Sequence, residues 1–377
     1  MKIVVAPDSF KESLSAKGVA SAISKGILKV LPSAHITQIP VSDGGEGLLD
    51  ALVESLGGKR ITVSVKDPIG RTIESEYGII DKGQTAIIEM AKASGLELLH
   101  ESEKAPLITS TYGTGQLIKD ALDQGCSKIL IGIGGSATND GGMGMVKALG
   151  GKFKNKNGND IESGGGALGD LHKIDLNDFD KRVFNCEFVT ACDVNNPLTG
   201  TNGASFVYGA QKGGTPEQLM LLDKNLIHYA SVIKKNLKIE VDNINGAGAA
   251  GGMGAALLAF FDAKLVKGID LILQTLQLEK YIKNSDLIFT GEGKIDIQTL
   301  NGKTIAGVAE IAKRYKIPVI AVAGKLGADI EPLYDCGISA VYSILDQPME
   351  LKEAMENADV LIESLVENIM RTIIIKV

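Results

Sequence analysis

Four stretches of this chain set carboxylates beside glycine backbone, one of them with a lysine as well. They are VSDGGEG (41–47), GIGGSATNDGGMG (132–144), VTACDVNNPLTG (189–200) and TGEGKID (290–296). Glycine backbone lets N–H groups approach an anion. In the second stretch Gly134 and Gly135 supply that backbone, the Ser136 and Thr138 hydroxyls add donors, and a helix starting near Asp140 would offer its positive end. GAGAAGGMG (246–254) adds Gly248 and Gly251 in a literal G-x-G-x-x-G. Two anion-competent loops suit a polyphosphate such as a nucleotide. Glu292, Lys294 and Asp296 put two carboxylates and a cation on one short segment, and Asp43 and Asp193 each follow an apolar run. An aspartate near an acceptor hydroxyl can take its proton, and one or two carboxylates suffice for Mg²⁺. Lys11, Lys294 and Arg71 are the cations for a substrate carboxylate or a moving phosphoryl group. Only five arginines occur, so Arg71 has few rivals.

Each motif also has a plain structural meaning. GIGGSATNDGG serves equally well as a strand-to-helix turn, and GAGAAGGMG as close helix packing through small residues. A single aspartate after a strand is more often a cap or turn residue. Gly132-x-Gly134-x-x-Ala137 meets the looser dinucleotide fingerprint, but the acidic ribose partner expected about twenty residues on falls in the polar NGNDIE stretch. Gly302-Lys303-Thr304 is not a Walker A ending, because Ile297 stands where that motif needs glycine.

The elements that must position these residues follow an alternating rhythm. KIVVA is a strand; Ser15 caps a helix carrying Val19, Ile23, Ile27 and Val30, stopped by Pro32; HITQIPV is a second strand. A helix over about 46–56 and a third strand, RITVSV, follow. The last quarter repeats the pattern with SDLIFTG, KTIAGVAEIAKRY, IPVIAVAG, ISAVYSI and a long final helix from about Glu350. Between them, RTIESEYGII and TAIIEMA read as an antiparallel pair. The expected architecture is α/β: a doubly wound, Rossmann-like parallel sheet of order 3-2-1-4-5-6 (residues 1–66 and 281–377), split by an inserted α/β domain with a mixed sheet (67–280). In such a sheet the ligand crevice lies where strand one meets strand four. Asp8, Ser9 and Lys11 should therefore face Glu292, Lys294 and Asp296, with TGEGKID as the loop after strand four.

Composition excludes several classes. A net charge of −7 argues against nucleic acid and anionic membrane as partners. No apolar run reaches about 18 residues, so no membrane span is expected. MKIVVAP is a strand rather than a cleavable signal. Four scattered cysteines suggest reduced thiols in the cytoplasm, and four scattered histidines make a zinc site unlikely. Assembly is left open, a homo-oligomer included.

Taken in order, APDSFKESLSA, PVSDGGEG, DPIGR, GIGGSATNDGGMGM, ACDVNNPLTG, GAGAAGGMG and TGEGKIDIQT…GKTIAGVA resemble the type-1 glycerate kinases of bacteria. The resemblance implies transfer of a phosphoryl group from ATP to D-glycerate with Mg²⁺, giving 2-phosphoglycerate, in the cleft of a split Rossmann-like domain and its insert. Under it, Asp193 is the candidate base, with Asp43 its rival. Lys11 and Lys294 are the other catalytic candidates, Ser9 and Arg71 bind substrate, and Asp296 or Asp193 holds metal. Gly134, Gly135, Ser136, Thr138, Gly248, Gly251 and Glu292 bind nucleotide. Two positions depart from the family pattern: Glu12 stands for a usual glycine and Ile305 for a common proline. The competing readings are a nicotinamide-dependent oxidoreductase acting on a small hydroxy acid and a binding regulator without catalysis.

Overall fold

The computed structural model describes residues 1–42, 47–300 and 304–375. Among them the strands run in chain order β1 (Lys2–Val5), β2 (His35–Gln38), β3 (Lys59–Lys66), β4 (Thr72–Ile80), β5 (Thr85–Glu89), β6 (Lys128–Gly132), β7 (Lys152–Lys154), β8 (Lys173–Asp175), β9 (Glu187–Ala191), β10 (Lys264–Val266), β11 (Leu287–Ile295), β12 (Val319–Leu326) and β13 (Ala340–Ser343). The chain divides into two compact units, Met1–Gly47 with Ile269–Val377, and Leu48–Gly268.

The first unit holds a parallel sheet of order β13-β12-β11-β1-β2. Its strands are short apolar runs because helices cover both faces. On one side Ile3, Val5 and Phe289 pack with Val19, Ile23 and Ile27 of helix Ala16–Val30 and with Ile362 and Val366 of helix Ala358–Ile373. On the other side Ala321 and Ala323 pack with Ile305 and Ala309 of helix Thr304–Tyr315. The cap at Ser15 forms as its position predicts: its hydroxyl accepts from Gly18 N–H at 3.1 Å. The C-terminal helix is two pieces, Leu351–Glu356 and Ala358–Ile373, joined at Asn357.

The second unit holds a mixed six-stranded sheet, β10-β9-β6-β5-β4-β3. β3 to β5 form an antiparallel meander, with Val63 opposite Ser75 and Gly78 opposite Ile87; β6, β9 and β10 continue it in parallel. A separate hairpin, β7-β8, completes the strands. The core gathers Tyr77, Ile131, Phe153, Phe188, Tyr229, Met253 and Phe260.

One expectation needs correcting. RITVSV is a strand, but it is the edge of the second sheet and not strand three of the first. Its alternation gives the reason: Ile61 and Val63 are half-buried while Lys59, Arg60, Thr62 and Ser64 are mostly exposed, which suits an antiparallel edge and not a two-sided parallel interior. The remaining order 2-1-4-5-6 is that of the first sheet.

Candidate active site

In the first unit β1 and β11 are adjacent, and the sheet reverses its winding between them. Their carboxyl ends are therefore the expected ligand edge. The chain leaving β1 stays beside β11. Asp8 N–H donates to Gly291 O at 2.8 Å, and a Cβ on Gly293 would lie 3.4 Å from Phe10 Cα and 3.5 Å from Lys11 N. The sequence-predicted juxtaposition is present between residues 8–11 and Gly291–Gly293. TGEGKID, however, is not a loop: β11 runs through Ile295, pairing Lys294 with Lys325 on β12. Glu292 and Lys294, two residues apart in this strand, share the face opposite to that of Gly293. Glu292 is buried and accepts from Thr299 Oγ1 at 2.5 Å; Lys294 is exposed and meets Asp296 at 2.6 Å.

Asp8 lies on the segment that runs beside β11. One carboxylate oxygen accepts from Ser9 N–H at 2.6 Å and the Ser9 hydroxyl at 3.2 Å; the other accepts from Thr304 Oγ1 at 2.6 Å, at the first residue of its helix. Thr299 ties Glu292 to the next turn, its oxygen accepting from Asp296 N–H at 3.2 Å. Glu292 and Asp296 offer hard, anionic oxygens with Lys294 as counter-charge, and this chemistry fits Mg²⁺. No group of three or more His, Cys, Asp or Glu converges on a metal-sized site among the described residues. Mg²⁺ asks for less than that, since waters and phosphates complete its shell. Lys11 is exposed on the turn that follows β1. Glu12, the departure from the family glycine, has φ +63°, a left-handed backbone that glycine adopts without strain. Asp43 lies outside the described residues.

In the second unit the glycine loop after β6 exposes Gly134 and Gly135, then buries Ser136 through Asp140. Its backbone is held by residues 90–96: Leu96 N–H donates to Gly135 O at 2.8 Å, and Ala137 N–H to Ser94 O at 3.0 Å. The helix that follows, Met143–Ala148, does not offer its N-terminus to a ligand, contrary to expectation. Asp140 occupies it. Its carboxylate accepts from Gly142 N–H at 3.0 Å, Gly144 N–H at 3.1 Å, and both Thr111 N–H and Oγ1 at 2.9 Å. Burial pushes the Asp140 carboxyl up, and these donors draw it back down. Behind the loop sits Lys212, only 1% exposed, whose ammonium donates to Ser136 Oγ and Thr138 O, each at 2.7 Å. Burial lowers it to about 7, with Asp140 opposing the fall.

GAGAAGGMG packs on this loop. Gly141 N–H donates to Gly251 O at 3.0 Å, and a Cβ on Gly251 would sit 1.9 Å from Thr138 O. A Cβ on Gly248 would sit 2.1 Å from Pro197 O. The backbone at Ala250–Gly252 is left-handed, so regular helix starts only afterwards. Both glycines are thus placed where backbone meets backbone. Asp193, exposed after β9, accepts from Gly268 N–H at 2.9 Å. Arg71 is engaged three ways: it meets buried Asp67 at 2.5 Å, Glu103 at 2.8 Å and Leu98 O at 3.1 Å.

Sequence reasoning left Asp8, Thr304 and Lys212 out of the candidate set. Asp8 carried a signal, a strand-end aspartate already opposite Glu292. Lys212 carried none, since nothing local marks a lysine as buried.

Family comparison agrees with this architecture. The glycerate kinase family model matches residues 3–374. A glycerate kinase of Halalkalibacterium halodurans is 50% identical over 367 residues, covering 97% of each chain. A glycerate 2-kinase of Escherichia coli is 50% identical over 358 residues, covering 95% of this chain and 94% of its own. A solved structure from Salmonella typhimurium LT2, assigned as a glycerate kinase 2, superposes with TM-score 0.91 at 47% identity, covering 99% of this chain and 98% of its own. A phosphotransferase with an α/β fold of this type is the class defined. The chain belongs to the glycerate kinase family, and the oxidoreductase reading has no support among these relatives.

Proposed function

We propose that this enzyme transfers the γ-phosphoryl group of ATP to the 2-hydroxyl of D-glycerate, releasing ADP and 2-phosphoglycerate. The observation that carries the proposal is the oxygen-rich segment of Glu292, Lys294 and Asp296 at the end of β11, beside the chain that leaves β1 with Asp8, in a chain half identical to a glycerate 2-kinase. Phosphoryl transfer asks a protein for charge neutralisation and alignment more than for covalent chemistry. Asp296, or Asp193, would hold Mg²⁺, which when bound neutralises charge on the phosphate oxygens. Lys294 and Lys11 supply cations for the moving group, and Glu292 orients Thr299 and the turn carrying Asp296. Gly134, Gly135, Ser136 and Thr138 serve the nucleotide's phosphates, with Gly251 holding that loop from behind. Asp193 accepts the proton of the attacking hydroxyl, and Asp43 is the alternative base. Ser9 and Arg71 serve the substrate carboxylate. Four free cysteines and a soluble nucleotide substrate suit the cytoplasm.

The test is ADP release measured with and without D-glycerate, across a Mg²⁺ titration. ADP formation that requires both supports the proposal. ADP release indifferent to glycerate, or an unchanged rate in excess chelator, overturns it.

A further inference from the structure

Lys212 is the one fully buried lysine among the described residues. An ammonium carries three donors and no acceptor. While protonated, below its titration near 7, it can only donate across the 2.7 Å to Ser136 Oγ, so the serine oxygen is the acceptor of that bond. The serine keeps one hydrogen. Among the described residues no acceptor for it is present, and Ser136 retains a small exposure of 8% next to exposed Gly134 and Gly135. The same lysine pins Thr138 O at 2.7 Å, fixing the loop at two points. Two further oxygens of this stretch, Thr138 Oγ1 and Asn139 Oδ1, are buried without partners.

We propose that Lys212 is a positioning residue for phosphate recognition: by donating inward to Ser136 it turns the serine hydroxyl into an obligate outward donor, aimed at an anion bound over the Gly134–Gly135 turn. A serine left to itself rotates to suit either a donor or an acceptor. Held this way by protonated Lys212 it can only donate, and so discriminates in favour of anions. Asp140 counters the lysine charge, being itself bonded by backbone and Thr111 donors. The inference rests on the reading that this loop takes the nucleotide's phosphates.

The experiment is calorimetric binding of ADP at pH 6, where Lys212 is charged, with adenosine as the uncharged control, to the full chain and to Ser136→Ala, Lys212→Met and the double variant. Each single change should weaken ADP about tenfold or more, with adenosine and the glycerate KM within twofold of wild type. The double variant should be no weaker than the worse single one, because both remove the same donor. If Ser136→Ala leaves ADP binding intact, the loop is not the phosphate site and the underlying reading fails. If Ser136→Ala weakens ADP while Lys212→Met does not, or the two losses multiply, the loop reading stands and the role of Lys212 is overturned. Should Lys212→Met fail to fold, Lys212→Gln decides: its amide offers an acceptor that lets the serine turn inward, so ADP weakens if the inference holds and does not if it fails.

Discussion

The glycine-rich segments of the two units do opposite work. At the end of β11, Gly291 and Gly293 alternate with side chains that carry charge, and the neighbouring backbone of residues 8–11 comes close enough to set Asp8 beside them. In the second unit, Gly248 and Gly251 alternate with alanines, and the backbone they admit belongs to Pro197 and Thr138. The same residue type in one case clears space for polar side chains at an open sheet edge. In the other it lets two loops lock together around Asp140 and Lys212. Glycine density therefore marks close approach, and the neighbouring side chains decide whether that approach serves chemistry or rigidity.

Substitutions should separate the two roles. The largest effect is expected from Asp193→Asn, which should lower kcat by about 10³-fold or more with ATP binding retained; near-normal turnover in the folded variant removes Asp193 from the mechanism. Gly251→Ala comes next and should act on stability. Its Cβ would meet Thr138 O at 1.9 Å from a backbone at φ +66°, so a loss of about 3 kcal/mol or more in urea unfolding is expected. A loss under about 1 kcal/mol would show that the loops are not locked. Arg71→Ala leaves buried Asp67 with its backbone donors from Ile69 and Arg71, so it should raise the glycerate KM more than the ATP KM; the reverse ranking moves Arg71 to the nucleotide.

Lys212 sets a pH signature. In the unfolded chain a lysine titrates near its ordinary value of about 10.4, and in the fold near 7. Between these values the unfolded state binds the extra proton, so stability rises with pH from about 7 toward 10. Lys212→Met should flatten that rise, read as the change in Tm between pH 7 and 9.5. An identical slope in the variant would show that Lys212 titrates normally. The smallest effect is at Glu12, where φ is +63°: Glu12→Gly should stabilise by about 0.5–1 kcal/mol, and a destabilisation would mean that the side chain compensates for the strain.

Much of this was legible in the sequence because the first sheet is built from local signals. Ser15 announces its helix, apolar runs announce β1, β11 and β12, and the winding rule then brings Asp8 and Lys11 beside Gly291–Gly293. RITVSV was assigned to the wrong sheet because periodicity gives a strand's state and not its neighbours; only the half-exposed alternation of Ile61 and Val63 hinted at an antiparallel edge. Lys212 and the self-capping of Asp140 were illegible for a different reason. Both depend on contacts between segments distant in the chain, Lys212 with Ser136 and Asp140 with Thr111, and no local pattern encodes a buried charge.

The most direct measurement is the proton-coupled phosphorus spectrum of the product formed from ATP and D-glycerate. A phosphate on the 2-oxygen couples to one carbon-bound hydrogen and gives a doublet, which is the result predicted. A triplet, from a phosphate on the terminal methylene oxygen, or no organic phosphate signal at all, would contradict it.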